Sequence, residues 1–119
     1  MEKFERYLAA FDGSTDWRTI APLFDDAFHD DAVFVTADAE LDKVQWAAMA
    51  KGLREKGSVI SDFEVTEGEG DSIYYKVTVT PAGGHPMHLA ARGTLKDGQL
   101  LRVEPVDPAA YSEMVQRSS

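Results

Sequence analysis

Apolar residues recur at helical spacing in the first quarter of the chain. The first stripe consists of Phe4, Tyr7, Leu8 and Phe11. It predicts a helix over residues 2–11, which "DGSTD" then ends. The second stripe consists of Trp17, Ile20, Phe24 and Phe28. It predicts a second helix with Asp16 or Thr19 as N-cap, and Pro22 requires that this helix either begin at Thr19 or kink.

A third helix is predicted after a short β-prone run, "AVFVT". Asp42 and Gln45 have the spacing of a capping box, in which each side chain bonds the backbone N–H of the other residue. The helical face that follows consists of Trp46, Met49, Ala50 and Leu53. Gly57 is suited to the helix end, because glycine accepts the left-handed backbone found there.

The second half of the chain has the alternation and turn residues of strands. Four are predicted, at residues 58–67, 72–80, 87–96 and 99–106. They are separated by "GEGD", "PAGGHP" and "DG", the last being a strong signal for a two-residue hairpin turn. The element order is therefore α-α-β-α-β-β-β-β. Three N-terminal helices packed on a curved, mainly antiparallel sheet give an α+β fold class.

The turns also predict which residues face each other. A turn at Asp97–Gly98 places Arg92 opposite Val103, and a loop centred on Gly83–Gly84 places Tyr75 opposite Arg92. The more apolar face, expected to meet the helices, then carries Ile73, Tyr75, Val77, Val79, His88, Ala90, Arg92, Thr94, Leu101 and Val103. The other face is mixed, and a partner subunit could cover it. A slip of one residue would exchange the two faces.

Length and charge restrict the class of protein. The 119 residues are expected to form a single domain, 1–119, with a core at 2–107 and a less firmly held segment at 108–119. With no cysteine, thiolate metal sites and cysteine catalysis are excluded, and a reducing, cytoplasmic location is expected. The net charge of −9 argues against binding to nucleic acid or membranes. No signal peptide or membrane span is predicted.

The element order and three phrases resemble the nuclear transport factor 2-like superfamily, a cone-shaped, cystatin-like fold. The phrases are "RYLAAFDGSTDW", "LFDDAFHDDAVFV" and "GTLKDGQLLRVEPVD". Members include ketosteroid isomerases and SnoaL-like, polyketide-cyclase-like proteins. The resemblance covers residues 2–107. It implies a pocket between sheet and helices for a small, fairly apolar molecule, and homodimers packed through the sheet.

The resemblance to ketosteroid isomerases is only partial. Tyr7 falls where those enzymes place a tyrosine that hydrogen-bonds the developing enolate oxygen. Their carboxylate base falls near Thr36, which cannot abstract a proton, although Asp38 is two residues further on. Their second, protonated acid falls at 90–92, where this chain has no carboxylate. Steroid isomerase activity is therefore not expected.

The run "LFDDAFHDDAVFV" raises the question of a metal site. Asp25 and Asp26 precede His29 by four and three positions, so one helical face could carry all three. The simpler interpretation is a solvated helix face followed by a polar turn at Asp30 and Asp31. We expect no metal and no cofactor.

Polar residues on the predicted inner face are the candidate functional residues. His88 and Tyr75 are assigned as catalytic, because an imidazole and a phenol can transfer protons or polarise a carbonyl. Arg92, Tyr7 and Trp46 are assigned to ligand binding, with Arg92 orienting an anion. Alternatively, His88 is at a solvated strand end, Arg92 is paired with a helix acid, and Tyr7 and Trp46 are core.

Two functions follow from these alternatives. In the first, the cone holds a small organic molecule that bears a carboxylate or carbonyl, and general acid/base chemistry isomerises, dehydrates, cyclises or hydrolyses it. In the second, the protein is a non-catalytic homodimeric binding or regulatory module with a filled cone. The sheet surface around Met87, Leu89 and Leu100 would then form the contact. A cavity of ~300 Å³ or more would favour the first function.

Overall fold

Helices and a single sheet form the α+β fold that the sequence predicts. The computed structural model describes residues 2–12 and 15–118, apart from the side chains of residues 108, 114, 117 and 118. The elements are α1 (Glu2–Ala10), α2 (Trp17–Ala27), β1 (Phe28–Val35), β2 (Glu40–Asp42), α3 (Lys43–Glu55), β3 (Val59–Glu67), β4 (Ser72–Thr80), β5 (Met87–Lys96), β6 (Gln99–Val106) and α4 (Pro108–Ser118). The strand order in the sheet is β2-β1-β6-β5-β4-β3, with β1 parallel to β6 and all other neighbours antiparallel.

Two of the helices begin at caps that the sequence predicts. The Asp16 carboxylate accepts a hydrogen bond from the Thr19 N–H at 3.0 Å, so α2 begins at Trp17 and Pro22 lies inside it. At α3, the Asp42 carboxylate accepts from the Gln45 N–H at 2.8 Å. The Gln45 side chain accepts from the Asp42 N–H at 3.0 Å, which completes the capping box.

The polar turn predicted at Asp30 and Asp31 is instead an irregular part of β1. Phe28 already pairs with Leu100, and the next pair is Val33 with Arg102. Five steps along β1 therefore match two along β6, so the intervening residues bulge away from the ladder. Asp30 and Asp31 are exposed there, in agreement with the prediction that solvent surrounds them.

The predicted register between β4 and β5 is wrong by one residue. Arg92 lies opposite Tyr74, not Tyr75, and His88 lies opposite Thr78. The turn between these strands closes from Pro81 to Gly84, where the Gly84 N–H donates to the Pro81 carbonyl at 3.0 Å. Its left-handed residue is Gly83, with a φ of 72°, so the turn is not centred between the two glycines.

The register between β5 and β6 is correct at the Asp97–Gly98 turn and then changes. Leu95 pairs with Leu100 as predicted, but a bulge follows, and Arg92 pairs with Glu104 in place of Val103. Leu100, predicted to contribute to an exposed contact surface, is fully buried.

The sheet therefore has a different division of residues between its faces. The inner face, which meets α1 and α3, carries the buried residues Ile73, Tyr75, Val77, Val79, Ala91 and Gly93. The outer face carries Lys76, Thr78, His88, Ala90 and Arg92. Placing His88 and Arg92 on the inner face was wrong, because the one-residue slip moves every side chain of β5 to the opposite face.

Aromatic rings fill most of the space between the inner face and the helices. Phe28 of β1 lies 4.2 Å from Trp46 of α3 and 4.5 Å from Phe24 of α2, between ring centroids. Phe4 of α1 lies 4.8 Å from Tyr75 of the sheet. Within the described ranges, no helix has the length and apolar character needed to cross a membrane.

The C-terminal segment, for which the sequence predicts no element, forms α4 on the outer face. Tyr111 is buried against β4, where its ring faces the Lys76 ammonium with 5.9 Å between Nζ and the ring centroid. The two faces of the sheet are thus covered by different helices.

Candidate functional site

A small cavity remains between α1, α3 and the inner face of the sheet. Its volume is about 100 Å³. The lining is contributed by Phe4, Tyr7, Leu8, Phe11, Phe34, Trp46, Met49, Ala50, Leu53, Ser58, Ile60, Tyr75, Val77 and Val79. We refer to this space as the cone cavity. Apart from Ser58 and the two tyrosines, every lining side chain is apolar.

Local periodicity brings the two tyrosines to the cavity. Tyr7 follows Phe4 by three positions and precedes Phe11 by four, so all three lie on one face of the N-terminal helix and its end. Tyr75 alternates with Ile73 and Val77 along β4, which places it on the inner face.

Burial controls the protonation of these phenols. Removal from water raises the pKa of Tyr7 above its ordinary value, and the neighbouring Tyr75 raises it further. Burial likewise raises the pKa of Tyr75. Both hydroxyls therefore stay protonated at neutral pH. The structure contains no hydrogen bond from either hydroxyl to a described residue, so each can donate to an acceptor atom in the cavity.

The cone cavity offers no group that would accept a proton from a substrate. Among its lining residues there is no histidine, carboxylate or lysine. Thr36, which the sequence resemblance aligns with the isomerase base, is held in a turn. Its hydroxyl donates to the Ala39 carbonyl at 2.8 Å and accepts from the Ala39 N–H at 3.0 Å. Asp38 is exposed.

The aspartates near His29 form ion pairs. Lys43 Nζ lies 2.8 Å from an Asp25 oxygen and 3.2 Å from an Asp30 oxygen, across the α2–α3 groove. His29 Nδ1 accepts a hydrogen bond from the Asp31 N–H at 3.0 Å. In the described part of the chain, no group of three or more metal-ligating side chains could hold an ion.

The predicted site residues divide between two places. Tyr7, Trp46 and Tyr75 meet at the cone cavity. His88 and Arg92 are exposed on the outer face. There His88 Nδ1 lies 3.1 Å from the Thr78 hydroxyl, and Arg92 donates to the Ser72 hydroxyl at 3.1 Å. The roles assigned to these five residues stay predictions, but the structure does not bring them into one site.

Several cavity residues were not identified as site residues from the sequence. Met49, Ala50 and Leu53 line the cavity from α3, and Ile60 lines it from β3. The apolar stripe of α3 could have identified Met49, Ala50 and Leu53, because they lie on the same helical face as Trp46. Ile60 gave no such signal, because an apolar residue in a strand is usually core.

Comparison with known proteins identifies the fold. No family model and no curated protein matches the chain. A candidate polyketide cyclase from Sinorhizobium meliloti has a TM-score of 0.65 and 24% identity, over 89% of this chain and 94% of its own. A candidate isomerase of the SnoaL-like family from Agrobacterium tumefaciens has a TM-score of 0.64 and 19% identity, over 87% of this chain and 92% of its own.

A nuclear transport factor 2-like protein of unknown function from Cytophaga hutchinsonii has a TM-score of 0.67 and 10% identity, over 91% of this chain and 89% of its own. Identities this low establish a shared fold and leave the activity open, since one fold supports many functions. The chain therefore has the cone-shaped fold of the nuclear transport factor 2-like superfamily, as its sequence motifs indicate.

Proposed function

We propose that the protein binds a small, mainly apolar molecule carrying one hydrogen-bond acceptor, such as a carbonyl, in the cone cavity. The supporting observation is the pair of protonated phenols, Tyr7 and Tyr75, in an otherwise apolar cavity. Each hydroxyl can donate a hydrogen bond to a ligand acceptor, and this bond favours such a ligand over a plain hydrocarbon.

The volume of the cavity limits the ligand to a small ring or a short chain of about four carbon atoms. At about 100 Å³, the cavity is smaller than the ~150 Å³ apolar cavities that take up benzene. It is also below the ~300 Å³ at which drug-sized pockets begin. A molecule with several fused rings would enter only if α1 and α3 moved apart.

Binding is favoured over proton-transfer catalysis at this site. The similar structures include a candidate cyclase and a candidate isomerase, and a phenol that donates to a carbonyl is a common element of such chemistry. Those reactions also need a general base within hydrogen-bond reach. The residues lining this cavity supply none.

A second candidate function is the non-catalytic module with a filled cone. It is favoured by the small volume of the cavity and by the close packing of Phe28, Trp46 and Phe34. In that case no ligand would bind, and the surface of the protein would mediate its function. Sheet-to-sheet homodimerisation remains a prediction for either candidate.

A pair of isosteric ligands tests the proposal. Cyclobutanone and methylenecyclobutane, which are both smaller than benzene, differ only in whether oxygen or CH₂ is double-bonded to the ring. We expect saturable binding of both, followed by NMR shifts of Ala50, with cyclobutanone bound about 3- to 10-fold more tightly through one hydrogen bond. Tyr75→Phe should reduce this preference, whereas Tyr74→Phe, on the outer face, should leave it unchanged.

Two further results would decide between the candidates. Ala50→Leu places a larger side chain in the cavity and should abolish binding of both ligands while the fold is retained. If neither ligand binds the unmodified protein saturably, the proposal is wrong and the second candidate is favoured.

A further inference from the structure

The outer face of the sheet contains a larger cavity than the inner face. It lies between β4, β5 and α4 and has a volume of about 390 Å³. The lining is contributed by Asp62, Lys76, Val77, Thr78, His88, Leu89, Ala90, Tyr111 and Ser112. We call this space the outer groove. Its volume is within the range of ~300–1,000 Å³ typical of small-molecule sites.

We propose that the outer groove binds a small organic cation, an alkyl ammonium, with Asp62 as its anchor. This site lies on the face of the sheet opposite the cone cavity and is independent of the function proposed there.

The positive charge already present in the groove is neutralised locally. Lys76 Nζ lies 3.2 Å from a Glu64 carboxylate oxygen and also faces the Tyr111 ring. An anionic ligand would have to displace Glu64 to use Lys76. This arrangement therefore argues against a carboxylate or phosphate as the occupant.

The negative charge of Asp62 is not neutralised. Within the described residues its carboxylate makes no hydrogen bond or ion pair, although it lines the groove. Asp62 has a φ of 50° at the bulge between Ser61 and Glu64. A bulge redirects the side chain it carries, and here the redirected side chain is a carboxylate that lines a cavity.

The charges around the groove therefore leave an excess of one negative charge. Asp62 and Glu64 are acidic, and Lys76 is the basic lysine that faces them. The whole chain carries −9, which raises the local concentration of cations near its surface. Both the local and the overall charge favour a cationic ligand.

The remaining groups of the groove suit the rest of such a molecule. On the outer face, Ala90 and the ring of Tyr111 offer apolar surface to an alkyl chain. His88 is held through Nδ1 by the Thr78 hydroxyl, which leaves Nε2 for a second polar group.

Tyr111 closes the groove from α4, and its own hydroxyl is buried without a partner among the described residues. Thr66 lies close to that hydroxyl, but the two groups are not in the geometry of a hydrogen bond.

Three probes of equal chain length test the charge of the ligand. Hexylamine, hexanol and hexanoate are titrated into the full chain at neutral pH, with the amide signals of His88 and Ala90 followed by NMR. We expect saturable shifts with hexylamine, which is protonated at this pH, and at least about tenfold weaker binding of the other two, because only the amine can pair with Asp62.

The chain offers a matched control for the anchor. Asp97 is the other described aspartate with positive φ, at 55°, in the β5–β6 turn and outside the groove. Asparagine tolerates this backbone, so Asp62→Asn and Asp97→Asn remove the same charge with the same small effect on folding. We expect Asp62→Asn to weaken hexylamine binding about tenfold or more and Asp97→Asn to leave it within about twofold.

Three results would overturn the proposal. The first is equal weakening by both variants, which indicates a general charge effect. The second is binding of hexanoate as tight as that of hexylamine. The third is hexylamine shifts that appear at Ala50 of the cone cavity in place of His88 and Ala90. Tyr75→Phe should leave hexylamine binding unchanged, which separates this test from the one for the cone cavity.

Discussion

At the scale of single residues, Gly93 shows how closely the side chains of the neighbouring strands β4 and β6 pack against β5. A Cβ at this position would lie 2.5 Å from Leu100 Cδ2 and 3.1 Å from Ile73 Cγ1, and both of those side chains are fully buried. We expect Gly93→Ala to lower the free energy of unfolding by about 1–3 kcal/mol, through displacement of packed side chains. Urea denaturation would measure this change.

Gly52 is the control for this substitution. It lies within α3, and a Cβ there would meet no atom within 4 Å. Gly52→Ala should raise the free energy of unfolding by about 0.5–1 kcal/mol, because alanine loses less backbone entropy in a helix. Equal effects at the two positions would mean that β5 and β6 are less closely packed than described.

The sequence alone predicted the position of some residues of the candidate site but not of others. Tyr7 and Tyr75 were placed correctly because each lies in a periodic apolar pattern that fixes its face. His88 was not, since its face depends on where the preceding turn closes. Two adjacent glycines, Gly83 and Gly84, allow more than one turn position. The sequence does not reveal that only Gly83 takes the left-handed backbone.

At the scale of elements, the capping box of α3 is expected to stabilise the helix that carries Trp46. Asp42→Ala removes the acceptor for the Gln45 N–H, so we expect a loss of about 1 kcal/mol in unfolding free energy. Thermal and urea denaturation would measure it. Asp38→Ala, in an exposed position before the helix, should change stability by less than about 0.5 kcal/mol. A similar loss at both positions would contradict the role of the cap.

Periodicity predicted nearly all of the larger elements, and the missed elements lack it. The four meander strands were placed within one residue of their observed bounds. β2 has only three residues, too few to show alternation. α4 has a weak apolar stripe, but Asp107 followed by Pro108 is a helix-start signal. Consistent with this, the Asp107 carboxylate accepts from the Ala109 N–H at 2.8 Å.

At the scale of the whole molecule, the buried tyrosines predict alkaline instability. Burial raises the pKa of Tyr7 and Tyr75, while a tyrosine of the unfolded chain ionises near pH 10. Above that pH the unfolded state loses protons that the folded state retains. Below about pH 10 the two tyrosines make their full contribution to the free energy of unfolding. Above that pH their contribution falls, by up to about 1.4 kcal/mol per pH unit for each tyrosine.

Urea denaturation between pH 8 and pH 11 would measure this slope. The double variant Tyr7→Phe/Tyr75→Phe should have a shallower slope than the parent, and Tyr74→Phe, on the outer face, serves as the control. A double variant with an unchanged slope would show that other groups cause the alkaline loss.

The irregularity in β3 has a consequence for self-association of the chain. β3 is an edge strand, so one side of its backbone has no neighbour in the sheet. A regular edge of this length could recruit the same strand from another molecule and start aggregation. The bulge between Ser61 and Glu64 interrupts that edge, and the exposed carboxylates of Asp62, Glu64 and Glu67 would repel their copies on an incoming strand. The feature that positions Asp62 thus also protects the protein from forming intermolecular sheets.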